Sequence, residues 1–187
     1  MFGISNKKLR NRGFYLILCL LLFGLTACGT KENSVNSESA KANYLYFLNK
    51  DGNALMQEQD TMMEEHPEWS TEERVQHFVT RLSDVPLQIE WKAPLRLDFT
   101  LDNWSVEGGE LILCLSESYY DLSPTDEILV RAALVKTLTQ VDGIDSVSFW
   151  ILNEPLKDAT GNTVSAMTAD CFLDNEIGGM NVATGDE

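Results

Sequence analysis

This chain of 187 residues is poor in histidine, cysteine and positive charge, with two His, four Cys and 14 Lys+Arg against 29 Asp+Glu. Each shortage excludes something. His66 and His77 are the only imidazoles, and no Cys-x-x-Cys pair or Cys/His cluster accompanies them, so a zinc site is not written here. There is no Gly-x-Ser-x-Gly elbow and no histidine near Cys114, so the sequence supplies no activated nucleophile. The formal charge of −15 argues against DNA or RNA as a partner, because phosphate binding draws its affinity from Lys and Arg that release counterions. No apolar run approaches the roughly 20 residues needed to span a bilayer. These shortages leave no catalytic residue, no cofactor and no metal site to assign, and the chain is expected to be non-enzymatic.

What is present begins at the N-terminus. Lys7, Lys8, Arg10 and Arg12 form a basic segment without an acid, the apolar run Phe14 to Leu25 follows, and Leu25-Thr26-Ala27-Cys28 closes it. Charge, apolar core and small residues in that order make a secretory signal. Cysteine directly after Leu-Thr-Ala resembles the lipobox of bacterial lipoproteins, which implies cleavage after residue 27, lipid on Cys28, and retention on the extracytoplasmic face of a membrane. Two or more acyl chains hold a protein stably where one does not. Losing residues 1–27 removes four basic residues and no acid, which leaves ten Lys+Arg against 29 Asp+Glu, a formal charge of −19. So acidic a domain does not lie on anionic lipid; the charge serves solubility or meets a basic protein partner. The remaining length builds one sizeable core rather than two.

Residues 28–42 read as a flexible polar tether with an r.m.s. reach of about 20 Å, residues 43–175 as the folded domain, and residues 176–187 as a mobile tail. Hydrophobicity returns at Tyr44–Leu48, a strand, and Asn49-Lys50-Asp51-Gly52 is a turn. The stretch Leu55 to Glu68 has no apolar period and reads as irregular. Ser70 with Glu73 forms a capping box, and Val75, Phe78, Val79 and Leu82 give the helix that follows one buried stripe. Leu95, Leu97, Phe99 and Leu101 alternate with polar residues and predict a strand with one wet face. Glu107-Gly108-Gly109-Glu110 turns that strand into a buried one at Leu111–Leu115. Ser123 and Pro124 start a second helix with Asp126 and Glu127 in its first turn. Its body, Ile128 to Val141, is apolar on several faces, and Asp142-Gly143 ends it. Ser146 to Leu152 predicts a strand, Asp158 to Asn162 a hairpin turn and Thr163 to Met167 a last short strand. The fold class is α+β: a single domain with a small mixed sheet and two helices packed on one face.

Within this order, the strand Glu110-Leu111-Ile112-Leu113-Cys114-Leu115-Ser116, the helix end Thr137-Leu138-Thr139-Gln140, the turn Val141-Asp142-Gly143-Ile144 and the ending Asn153-Glu154-Pro155-Leu156 together resemble the GerMN domain of sporulation and spore-germination lipoproteins. The likeness covers most of Asn43 to Leu173, in one copy. It implies a fold like the ring-building motifs of secretion-system ring proteins, action by protein–protein contact in an envelope assembly, and no catalytic residues.

A few other residues are candidates for chemistry or contact. His77 lies four residues after Glu73 on one helix face and reads as half of a solvated pair; His66 sits among acids in a loop. The acids Glu117, Asp121, Asp126 and Glu127 are the one place where paired carboxylates for glycan hydrolysis could hide, and helix-start electrostatics accounts for most of them. Cys114 and Cys171 read as two small buried hydrophobes, with a disulfide between them open to an extracytoplasmic chain. Of the tryptophans, Trp69 and Trp150 suit packing, whereas Trp91 and Trp104 lie in less regular surroundings and are the candidate contact surface. The expected partner is an envelope protein with basic surface, with the isolated domain monomeric because like-charged copies repel. A wall-glycan-binding lipoprotein is the alternative, and a cryptic glycan hydrolase a further one.

Overall fold

The computed structural model describes residues 43–172, so the leader, Cys28, the tether, the end of the expected domain (173–175) and the whole tail (176–187) lie outside the described residues. β1 (Asn43–Leu48) and β2 (Leu55–Asp60) form an antiparallel hairpin. A short helix α1 (Met62–Glu65) leads to α2 (Thr71–Ser83). β3 (Leu101–Glu107) and β4 (Glu110–Leu115) form a second hairpin, α3 (Pro124–Leu138) crosses over, and β5 (Ser146–Ile151) with β6 (Glu154–Pro155) completes the order. There are two sheets: β1-β2, and a mixed sheet β3-β4-β5-β6 in which only the β4–β5 pair is parallel. The expected α+β single domain with a small mixed sheet is what forms. The first strand, however, lies in a two-stranded sheet of its own.

The punctuation of both helices follows the sequence. Ser70 Oγ accepts the Glu73 N–H at 3.2 Å while the Glu73 carboxylate accepts the Ser70 N–H at 2.8 Å. Two of the free N–H groups at the start of α2 are thereby satisfied. The stripe Val75, Phe78, Val79 and Leu82 is buried. Ser123 Oγ accepts from the Asp126 N–H at 3.1 Å and Pro124 takes the first helical position of α3. From Leu129 to Leu138 that helix is buried on most sides, which makes it the centre of the core, against β1, α2 and β5. Leu111, Leu113 and Leu115 from β4 and Val147, Phe149 and Ile151 from β5 complete the apolar interior.

Five local expectations are corrected. Leu55–Glu68 is not irregular, since it contains β2 and α1. Its strand escaped notice because two of the three buried positions, Leu55, Glu58 and Asp60, are charged. Leu95–Asp102 is not the first strand of the hairpin. Pro94–Arg96 makes a 3₁₀ turn, and β3 begins only at Leu101, where β4 first offers a partner at Leu115. The strand after α3 stops at Ile151, because Leu152 and Asn153 both take positive φ (53° and 62°) and turn the chain into β6. Thr163–Met167 is reduced to isolated bridges, Lys157 to Thr163 and Val147 to Met167. Gly143 does adopt a left-handed φ of 92°, but α3 has already ended at Leu138.

Candidate contact surface

The densest polar construction in the domain lies between β2 and α2. Glu58 and Asp60 are two residues apart on one face of β2, and His77 and Arg81 are four apart on one face of α2, so both pairs present side chains to each other. His77 Nε2 donates to Asp60 Oδ2 at 2.9 Å, Arg81 pairs with Glu58, and Arg81 Nε lies 3.9 Å from Asp60. Both carboxylates are buried, which is tolerable only because each has a partner. His77 is therefore not half of a solvated pair with Glu73, which is engaged in the cap. The complementary i, i+2 and i, i+4 spacings were visible in the sequence, but nothing short of the fold set β2 beside α2.

This network carries a loop. The second oxygen of Glu58 accepts the Leu87 N–H at 3.3 Å, holding the segment after α2 against β2. On that segment Val85, Leu87 and Ile89 are 56%, 77% and 88% exposed, and with Tyr120, Ile128 and Leu152 they are the exposed large hydrophobics among the described residues. Half of that exposed apolar material thus falls within five residues. Trp91 ends the segment. Its ring lies 6.2 Å from that of Phe47, and the backbone beside it bridges Leu48 to Lys92. Two grooves meet at this indole: one of about 240 Å³ bounded by Val85, Pro86, Lys92 and Arg96, the other of about 410 Å³ bounded by Gln57, Glu58, Leu87 and Gln88.

Trp104, the second indole expected at a contact surface, lies instead on β3, half-buried against the core and opposite Leu113. No ring contact joins it to Trp91, and it lines neither of the grooves that meet there. Trp69 stacks on His66 at 4.4 Å and tilts against His77, while His66 Nδ1 meets Glu68 at 3.0 Å. The Glu68 carboxyl is held below its ordinary range by its own backbone N–H and by His66.

The acids considered for hydrolysis have separate structural employment. Asp126 accepts from the Ser123 hydroxyl at 2.7 Å, Glu127 lies 3.3 Å from Arg131 one turn along α3, and Glu117 and Asp121 bound a 3₁₀ turn. Tyr119 in that turn is buried, and burial pushes its phenol well above the usual range. Among the described residues no three His, Cys, Asp or Glu side chains converge as metal ligands, and no helix is long and apolar enough to cross a membrane. Cys114 and Cys171 are free thiols, half-buried and exposed respectively, so neither is the fully buried hydrophobe expected.

The helix-end motif Thr137-Leu138-Thr139-Gln140 acquires a physical reason. Gln140 Oε1 accepts the Tyr44 N–H at 2.8 Å and Gln140 Nε2 donates to the Tyr44 carbonyl at 2.7 Å. Thr137 Oγ1 accepts the Tyr46 N–H at 3.1 Å. Thr137 near the end of α3 and Gln140 just beyond it thus imitate a neighbouring strand along the free edge of β1. An edge strand must be covered or it becomes a template for another chain.

Comparison with known proteins adds the following. Residues 44–157 match the family model Germane, described as sporulation and spore germination. The structure of the tandem GerMN domains of the sporulation protein GerM from Bacillus subtilis superposes with a TM-score of 0.53 at 20% identity, covering 78% of this chain and 50% of that one. This chain therefore spans half of the tandem structure. The first GerMN domain of the same protein superposes at 0.51 and 22% identity, covering 68% of this chain and 96% of the other. No curated protein sequence matches.

Proposed function

This chain belongs to the Germane family of sporulation and spore germination, and from that premise we propose that it is a non-catalytic contact module, tethered by lipid on Cys28 to the extracytoplasmic face of a membrane. The observation that carries the reading is the trio of exposed apolar side chains Val85, Leu87 and Ile89, set beside the Trp91 grooves on a segment pinned by Glu58 rather than left loose. A large apolar patch rimmed by polar residues marks an interaction site. The fastening of this segment matters for affinity, since ordering a loose loop on binding costs free energy that a pre-ordered one has already spent. The strongly acidic remainder of the mature chain selects a partner with basic surface and opposes pairing of free copies. The basic leader, apolar run and Cys28 support the tether: Cys28→Ser should release the protein or leave an uncleaved precursor.

The test is a photo-crosslinking residue placed at position 87 or 89 in the tethered chain. It should yield a discrete protein adduct from envelopes, lost in Trp91→Ala. Processing and membrane retention of Cys28→Ser as in the unaltered chain would defeat the tether, and absence of any adduct would defeat the contact surface. One observation favours a second reading: Trp91 shares its larger groove with Gln57, Gln88 and Glu58, an indole among amide and carboxylate groups of the kind that holds a sugar ring. A wall-glycan adduct at these positions, in place of a protein, would decide for that reading.

A further inference from the structure

The edges of the mixed sheet are treated unequally. Beyond β5, Glu154–Pro155 pairs with Ile151 and Trp150, the Leu156 N–H donates to Phe149, and Met167 exchanges hydrogen bonds with Val147. That side is closed along its length. β3 is the opposite edge strand, seven residues long, with β4 as its one partner among the described residues. Gly108 and Gly109 both have positive φ (58° and 89°), as a two-residue type I′ turn requires. In such a turn the flanking residues Glu107 and Glu110 form a hydrogen-bonded pair, and the antiparallel pattern then alternates. Asn103, Ser105 and Glu107 therefore direct their backbone groups at β4, while Trp104 and Val106 direct theirs outward. The irregularity at Leu101/Asn103 leaves residues 103–107 in unbroken register with β4.

The side chains around this open edge are of one sign. Between Arg96 and Arg131 there is no Lys, Arg or His, and there are eight carboxylates. Asp102 and Glu107 are exposed at the two ends of β3, Glu110 is half-buried across the turn, and the exposed Asp145 carboxylate lies against Gly109. None of these four is in an ion pair among the described residues, although Glu58, Asp60, Glu127 and Glu154 all are. A second copy laying its own β3 here would bring like charges face to face, which destabilises a strand pair. A strand carrying Lys or Arg meets the opposite condition, and the exposed part of the Trp104 ring offers a face for a cation.

We propose that the β3 edge receives a basic, extended segment of another protein, added as a fifth strand through the backbone of Trp104 and Val106. This rests on the reading of the chain as a contact module and assigns that module a second surface with a partner chemistry. Strand addition takes its affinity from main-chain hydrogen bonds and its selectivity from alternate side chains, here from the acids at either end.

The experiment uses the full chain in detergent and three synthetic octapeptides: alternating Lys and Val, the same peptide with proline at every second position, and alternating Glu and Val. Amide hydrogen exchange should slow at Trp104 and Val106 with the Lys-Val peptide alone, and the affinity should fall at least about tenfold between roughly 50 and 500 mM salt. Val106→Pro removes one outward N–H at a position where an edge strand tolerates proline, and should weaken binding at least about tenfold. Should that variant fold poorly, Asp102→Lys with Glu107→Lys carries the test, because it should transfer preference to the Glu-Val peptide. Equal binding of the proline peptide, protection elsewhere than β3, or no binding overturns the proposal. Envelope crosslinking at position 87 that persists in Val106→Pro while no peptide binds would sink the edge proposal and leave the contact module standing. Absence of envelope adducts from the unaltered chain would sink the contact module itself.

Discussion

The β1–β2 hairpin is fastened by polar side chains from two helices, whereas the β3–β4 hairpin is held on one side and open on the other. Along β1, Thr137 of α3 and Gln140 just past its end occupy the backbone groups a third strand would use. Along β2, buried carboxylates reach His77 and Arg81 of α2. Along β3 no comparable side chain is placed among the described residues; acids without a cationic partner stand at the ends and the backbone groups of Trp104 and Val106 face outward. The contrast teaches that this fold has the means to close a strand edge and uses them on one hairpin. On the strand-addition proposal, the edge left open is the one a partner uses.

The largest expected effect breaks the fastened side. Arg81→Leu leaves Glu58 and Asp60 buried with one cation fewer, and removal of one partner from a buried ionic group costs about 3–5 kcal/mol. Urea unfolding should show a lower midpoint by that amount, and the Leu87 amide, bonded to Glu58, should exchange faster. Unsealing β1 comes next. Gln140→Ala strands the Tyr44 N–H and carbonyl, and an unmet buried polar group costs about 1–3 kcal/mol; because the edge is then open, this variant should also gain a tendency to self-associate in light scattering. Ser70→Ala should lower stability by about 1 kcal/mol, the usual loss for an N-cap, without altering either edge.

The smallest effects sharpen the comparison from the other side. Asp102→Asn on the open edge should move stability by less than about 0.5 kcal/mol, as for other surface changes, since no ion pair depends on it. Mild acid supplies a control at a site remote from β3. The Asp158 carboxyl is held below its ordinary range by the Thr160 hydroxyl and the Asn162 N–H, and that of Glu154 by Lys157. A carboxyl lowered in the folded state contributes stability that is present above its unfolded pKa and lost as pH falls through the folded one. Loosening of residues 154–162 should therefore set in only below the ordinary carboxylate range, and Asp158→Asn should remove that dependence locally.

Much of this architecture was legible from the chain because apolar pattern and turn chemistry agreed. Ser70 with Glu73, Ser123 with Pro124, and Gly108-Gly109 between alternating strands each specify a local geometry that the fold keeps. The largest failure comes from the assumption that what faces inward is apolar. β2 turns Glu58 and Asp60 inward, so its period of two carries no hydrophobic signal, and the partners that make the burial tolerable lie on another element. Leu95 to Asp102 failed in reverse, with an alternating pattern where Pro94 and the reach of β4 set the strand start further on. Leu152, an apolar residue at positive φ, carried no turn signal. For the candidate surfaces, Trp91 and Trp104 were identifiable as unusual, but their assignment to a pinned apolar loop and to an open strand edge required the pairing of strands. The Thr-Leu-Thr-Gln motif was recognisable as a likeness before its reason, the sealing of β1, was apparent.

Amide hydrogen exchange on the full chain without any partner tests the difference between the edges most directly. Tyr44 and Tyr46, whose N–H groups donate to Gln140 and Thr137, should exchange only through a larger opening of the fold, at least about a thousandfold slower than Trp104 and Val106, which should exchange as solvent-facing amides do. Equal protection of the two pairs, or slow exchange at Trp104 and Val106, would mean that β3 is already covered and that no edge is held open for a partner.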